Sequence, residues 1–341
     1  MEKSLDKRIH NIKTSDLGED FILVDAKDPD AAFGIAATGF KDKSNPNLGH
    51  RSLGEFYEEI RELVDQNILD VMLTTIFTYD NLVENGDIFQ NSSLTPAVRV
   101  NSSTDIWLVR GGIYGKLPSL PYSHASLENI IFGSVRDLSE RQPRIDLGLY
   151  SITFSNHPEI DLRSMVAFRE FYELATDLGF RYFLEVFDPN NEDCGLTAEE
   201  IPAFCNDQIA RIISLTPKHA QPLFLKVPYH GPDAMQELAK YHSETIIGIL
   251  GGSSGTTYDA FKLISEAQKY GAKAAIFGRR IKNSEAPLYF VRILREIVSS
   301  RLSPELAVEK YHQCLEEENI QPLRNYSEDC KLESEALAYL K

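Results

Sequence analysis

The chain has 341 residues, 43% hydrophobic and 25% charged, a composition that excludes a disordered chain and supplies enough apolar side chain for a sizeable core. Its 51 acidic and 35 basic residues leave a formal charge of −16, which repels polyanions and argues against nucleic acid or an anionic membrane surface as partner. Cys194, Cys205, Cys314 and Cys330 show neither CxxC pairing nor matched histidine spacing, the N-terminus MEKSLDKRIHN is polar, and no apolar run approaches the roughly 18 residues of a membrane span, so a cytoplasmic protein with reduced thiols, no metal and no cofactor is expected.

In chain order, the run FILVDAKDPDAAFGIAAT suggests two strands around the turn DPD, of which the second, over 33–38, is counted as the first of the series. A helix follows over 52–67, then strands over 70–75 (DVMLTT) and 96–101 (PAVRVN). The stretch 105–122 contains WLVRGGIYGKLPSLPY, rich in Gly and Pro, and predicts a hairpin or long loop in which Trp107, Tyr114 and Tyr122 pack together. Beyond it the rhythm becomes regular: strands over 148–155, 181–187, 222–228, 245–250 and 273–278 alternate with helices over 162–178, 198–214, 232–241, 256–270 and 285–299. Ser303 and Pro304 open a further helix, as N-cap and first helical residue.

Continuous apolar runs joined by helical crossovers are the pattern of buried parallel strands. Counted together they predict an α/β protein, a single (β/α)8 TIM barrel over about 33–300 in one domain spanning 1–341. It carries an N-terminal extension, a long loop after the third strand that acts as a lid over one mouth, and a C-terminal helical extension over 303–341.

Lys226 is flanked by apolar residues in PLFLKVP and by the period-two rule shares a strand face with Phe224 and Pro228. Lysines are almost never fully buried alone, and a lysine desolvated near the C-terminal end of a barrel strand is expected to act as a nucleophilic amine toward a carbonyl carbon. Glu185, in RYFLEVF on the preceding strand, is its counterpart, either a proton shuttle or the charge that neutralises Lys226. The turn ILGGSSGTTYDAF brings Gly251, Gly252 and Ser253 to a helix N-terminus, where backbone amides meet an anion, although such glycines also occur for shape alone. Gly278 and Arg279 of IFGRRI lie after the eighth strand, and loops after strands seven and eight recurrently bind phosphate in barrels. Arg99, Asn101, Tyr150, Ser151, Asn156 and His157 lie at or beyond strand ends where they could contact a polyhydroxylated substrate. Tyr150 fits a catalytic hydroxyl and a core aromatic equally well, and His157 before Pro158 fits a turn.

Together FLEVF, FLKVPY, GILGGSSGTT and GAKAAIFGRR, in this order and spacing, resemble the class I aldolase superfamily, especially tagatose-bisphosphate aldolases and more distantly archaeal-type fructose-bisphosphate aldolases, over roughly residues 145–300. The resemblance implies that Lys226 forms a Schiff base, that Glu185 moves protons, and that Arg279, with the amides of Gly251, Gly252 and Gly278, binds phosphate. It implies a lyase of carbohydrate metabolism, acting on a phosphorylated carbonyl substrate and able to self-associate as a homo-oligomer. Members usually carry an Asp after the first strand and often a Lys on the fourth; the runs GIAATGF and DLGLYSITF hold neither. The alternatives are another Schiff-base lyase or transaldolase-like enzyme, and a non-catalytic phosphosugar-binding or regulatory barrel.

Overall fold

The computed structural model describes residues 2–14, 20–133, 142–252 and 255–340. Eight parallel strands close on themselves: β1 (Ile22–Lys27), β2 (Val71–Thr74), β3 (Thr95–Arg99), β4 (Leu147–Thr153), β5 (Arg181–Phe187), β6 (Leu225–Val227), β7 (Ile247–Leu250) and β8 (Ala274–Phe277), with β8 paired to β1. Helices follow each strand and pack outside, the layout of a (β/α)8 barrel.

The first strand differs from the expectation. It is Ile22–Lys27, and the run 33–38 forms a short helix and a 3-10 turn instead. Two facts defeat the apolar run: Ile35 is 71% exposed, and Gly34 turns the chain with φ +57°, outside the β region. The true strand carries charges on its outward face, where Lys27 pairs with Glu59 on the helix Leu53–Gln66 and lies 3.3 Å from Asp25. With β1 correctly placed, the residue just past it is Asp28, so an aspartate does follow the first strand. β4 holds no lysine.

Local rules account for the outer helices. Ser52 and Glu55 form a capping box ahead of Leu53–Gln66, and Asn67 ends that helix in the left-handed conformation. Proline opens the helices Pro158–Asp177, Pro232–Tyr241, Pro287–Val298 and Pro304–Glu317.

Two apolar layers result. The inner one fills the lower barrel with Ile22, Val24, Val71, Leu73, Phe183 and Phe224, the last two stacked at 4.6 Å. The outer one lies between strands and helices and extends to Val308 and Tyr311 of the C-terminal helix. The N-terminal helix Ser4–Thr14 stoppers the lower end: Leu5 is fully buried among the inner residues, and Lys3 Nζ caps the carbonyls of Phe89, Ser92 and Leu94 at 2.9–3.0 Å. No helix among the described residues is long and apolar enough to cross a membrane.

After β3 the chain makes the expected hairpin, Asn101–Ser103 pairing antiparallel with Pro121–Ser123. Trp107 stands edge-on to Tyr114 and Tyr122 at 5.5 and 5.8 Å. Asp105 accepts hydrogen bonds from Ser119 (2.6 Å), within the ribbon, and from Thr153 (2.9 Å), which fastens the ribbon to β4.

Because Leu5 fills space that no other apolar side chain occupies, Leu5→Ala should destabilise the protein by about 2–5 kcal/mol. The check is a lower urea midpoint at unchanged slope; a midpoint within error of the parent would show that the stopper contributes nothing.

Candidate active site

Strand register sets one ring of residues. Glu185 of β5 is opposite Lys226 of β6 on one side and Ser151 of β4 on the other, so all three point inward at one height, above the Phe183–Phe224 pair. Lys226 is 7% exposed and Glu185 1%, and Lys226 Nζ lies 2.5 Å from Glu185 Oε1. The lysine therefore does not stand alone in an apolar wall; it stands on a carboxylate.

The other carboxylate oxygen is held too. Glu185 Oε2 accepts from Arg99 (3.1 Å) and from Ser151 Oγ (2.8 Å), and Arg99 also donates to Ser151 Oγ at 2.8 Å and to Asp28 at 2.5 Å. Asn101 and Ser151 exchange two hydrogen bonds, 2.7 and 2.8 Å, which lock the ends of β3 and β4 together. Burial by itself would raise the Asp28 carboxyl, but Arg99 and Lys226 outweigh it and hold the group below the usual aspartate value. The same two carboxylates, Asp28 and Glu185, outweigh burial at Arg99 and keep its guanidinium charged.

These groups border a cavity of about 150 Å³ at the C-terminal end of the strands, completed by Phe33, Ile106, Leu108, Gly252 and Arg279 among others. Ile106 and Leu108 belong to the ribbon after β3, so that loop does overhang this mouth. Arg279 stacks over the Phe33 ring at 5.5 Å, and among the described residues no carboxylate lies within ion-pair distance of it. The cavity thus holds two buried anions, Asp28 and Glu185, against three cations, Lys226, Arg99 and Arg279. One positive charge is left over.

Several expected site residues take other places. Tyr150 points outward from β4 and packs on Phe171 at 4.4 Å and Phe168 at 5.4 Å, within the apolar layer, so it is a core aromatic and not a catalytic hydroxyl. Arg99 lines the cavity, but its donors are engaged by Asp28, Glu185 and Ser151; it positions carboxylates and is not free to bind phosphate. The Gly251 amide donates to the Ile276 carbonyl at 2.9 Å, so it is not open to a ligand. Gly252, with φ +63°, lies on the wall, and Gly278 lets β8 pass Ala26, whose carbonyl oxygen a Cβ would approach to 2.5 Å. Ser253 lies outside the described residues. Asn156 donates to the Cys194 carbonyl and His157 is exposed at the start of Pro158–Asp177, both away from the cavity. Arg280 donates to the carbonyls of Gly255 and Thr256 and holds the loop after β7. Asp28 and Phe33 were not foreseen; the signal for Asp28 was the turn DPD directly after ILVDAK.

Since Asp28 sits below its ordinary value, the stability it lends is complete above about pH 4 and is lost as the pH falls through its lower folded-state value. The gap in urea midpoint between the parent and Asp28→Asn should therefore stay constant above about pH 4 and close as the pH falls below it. Arg99→Leu leaves buried Asp28 without its ion-pair partner and takes one of two from Glu185, and should cost roughly 3–5 kcal/mol near neutral pH; a neutral outcome would mean the carboxylates are solvated and not chained.

Comparison with other proteins places this geometry among known folds. No family model matches the sequence and no curated protein matches it. Solved structures do. An archaeal fructose 1,6-bisphosphate aldolase superposes with a TM-score of 0.60 at 16% identity, covering 87% of this chain and 100% of that one. The same figures for an archaeal fructose-1,6-bisphosphate aldolase whose catalytic Lys is covalently bound to the carbinolamine intermediate are 0.59, 16%, 87% and 100%. For the fructose-bisphosphate aldolase from Slackia heliotrinireducens they are 0.64, 12%, 91% and 90%. At such identities the likeness establishes the fold: this chain has the barrel architecture of these aldolases.

Proposed function

We propose that the protein is a Schiff-base-forming lyase of class I aldolase type, which reversibly cleaves a carbon–carbon bond in a phosphorylated sugar or related carbonyl compound. The observation that carries this reading is the amine of Lys226 lying 2.5 Å from Glu185 inside a closed barrel, at the border of a cavity on the C-terminal face. The barrel likeness to aldolases agrees with it.

In this reading Glu185 takes a proton from Lys226 Nζ, and the freed amine adds to the substrate carbonyl carbon. That proton and one from the nitrogen pass to the carbonyl oxygen, which leaves as water, and a protonated imine remains on Lys226. That cation draws the electron pair of the bond between its α and β carbons into an enamine as Glu185 removes the proton of the β-hydroxyl, releasing an aldehyde; Glu185 then returns the proton to the α carbon, and water hydrolyses the imine to free Lys226. Arg99 and Ser151 keep Glu185 in reach of Nζ throughout. The unmatched charge of Arg279, beside the Gly252 and Gly278 backbone, suits a phosphate dianion and fixes the reacting carbon near Nζ.

Incubation with dihydroxyacetone phosphate and borohydride should add one covalent adduct to the peptide containing Lys226, read by mass spectrometry. Lys226→Ala should remove it, and Glu185→Gln should slow its formation by about 10²–10⁴-fold. A phosphosugar-binding barrel without chemistry would gain no mass, and that result sinks the proposal.

A further inference from the structure

The cavity above Lys226, about 150 Å³, is small beside the roughly 300–1,000 Å³ of ordinary ligand pockets. It does not end there. A second cavity of about 640 Å³ adjoins it and shares Leu250, Gly251 and Gly252 as a common wall. Among the described residues no atom lies within 4 Å of a Cβ added at Gly252, on the wall common to the two spaces.

The two spaces differ in charge. Against the leftover cation of the first, the second presents Asp188, Asp259 and Glu335. Among its described lining residues the arginine is Arg280, engaged by the carbonyls of Gly255 and Thr256 and near Asp259, with Arg324 on the same Gly255 carbonyl at 2.6 Å. His230 faces Asp188, its Nε2 2.9 Å from the carboxylate. A phosphate dianion here would meet net negative charge, whereas sugar hydroxyls would find acceptors and donors in Asp188, His230 and Ser334 along apolar Pro228 and Leu263.

The C-terminal segment builds the far side of this space. The amides of Glu333 and Ser334 donate to Asp259 at 3.0 and 2.9 Å, and the Tyr339 hydroxyl meets that of Tyr229 at 2.8 Å. Glu335 therefore faces the cavity from a fastened strand of chain.

Resting on the Schiff-base reading above, we propose that the two cavities form one substrate site and that the substrate carries a single phosphate. The phosphate lies beside Arg279, the carbonyl carbon at Lys226, and the uncharged polyhydroxyl remainder crosses Gly252 into the second cavity. The preferred substrate class is a ketose 1-phosphate, and a second phosphate at the far end is disfavoured.

Borohydride trapping on the full chain with fructose 1-phosphate, fructose 1,6-bisphosphate and dihydroxyacetone phosphate tests this. The half-saturating concentration for the Lys226 adduct should be about tenfold lower for fructose 1-phosphate than for the bisphosphate. Glu335→Lys should lower the value for the bisphosphate by about tenfold. A bisphosphate that saturates at an equal or lower concentration, or a Glu335→Lys value that does not move, overturns the inference. If dihydroxyacetone phosphate labels Lys226 but neither hexose does, the second cavity is not part of the site and the Schiff-base reading stands. If no compound labels Lys226, that reading fails and this one falls with it.

Discussion

Four charges buried in one ring, Asp28, Arg99, Glu185 and Lys226, are the constraint around which the mouth of this barrel is arranged. Each would be very costly to bury alone, and together they are tolerated because every charge touches an opposite one in hydrogen-bonding geometry. The chain of contacts runs across β1, β3, β5 and β6, so it also fixes how the upper ends of these strands stand relative to one another. Ser151 hydrogen-bonds both Arg99 and Glu185, and Asn101 holds the Ser151 backbone, so neutral residues extend the ring.

Below that ring the barrel is an ordinary apolar core, and above it lie the loops that line the cavities. The division assigns two jobs to two ends of one structure. Stability comes from the Phe183–Phe224 layer and the N-terminal helix beneath it, while the loops after β3, β7 and β8, with the tail beyond residue 330, are held in place by side chain to backbone bonds. Asp259 and Asp329 illustrate the second kind, accepting backbone amides from segments more than seventy residues apart in sequence.

Much of this was legible in the residues. Seven of the eight strands lie where unbroken apolar runs place them, because a strand covered on both faces needs no polar alternation. Lys226 and Glu185 were legible for the converse reason, as charges inside such runs. The run Ile22–Lys27 also reads as a strand, but the unbroken apolar run over 33–38 is counted in its place, because β1 carries Asp25 and Lys27 on its outward positions and their partner Glu59 comes from a helix more than thirty residues later. The error concealed Asp28 as well. Tyr150 and Arg99 were placed at the right strand ends, yet side-chain direction and prior engagement by other groups depend on register and packing across strands, which the linear pattern does not contain.

The return of the tail to the barrel mouth also bears on how the protein is handled. A reporter or tag built into residues 333–340 would sit among Glu335 and Tyr339, which line the larger cavity, and would compete for the very volume a ligand needs. The helix Ser4–Thr14 packs at the floor of the barrel, so a label on its exposed face leaves the mouth unobstructed.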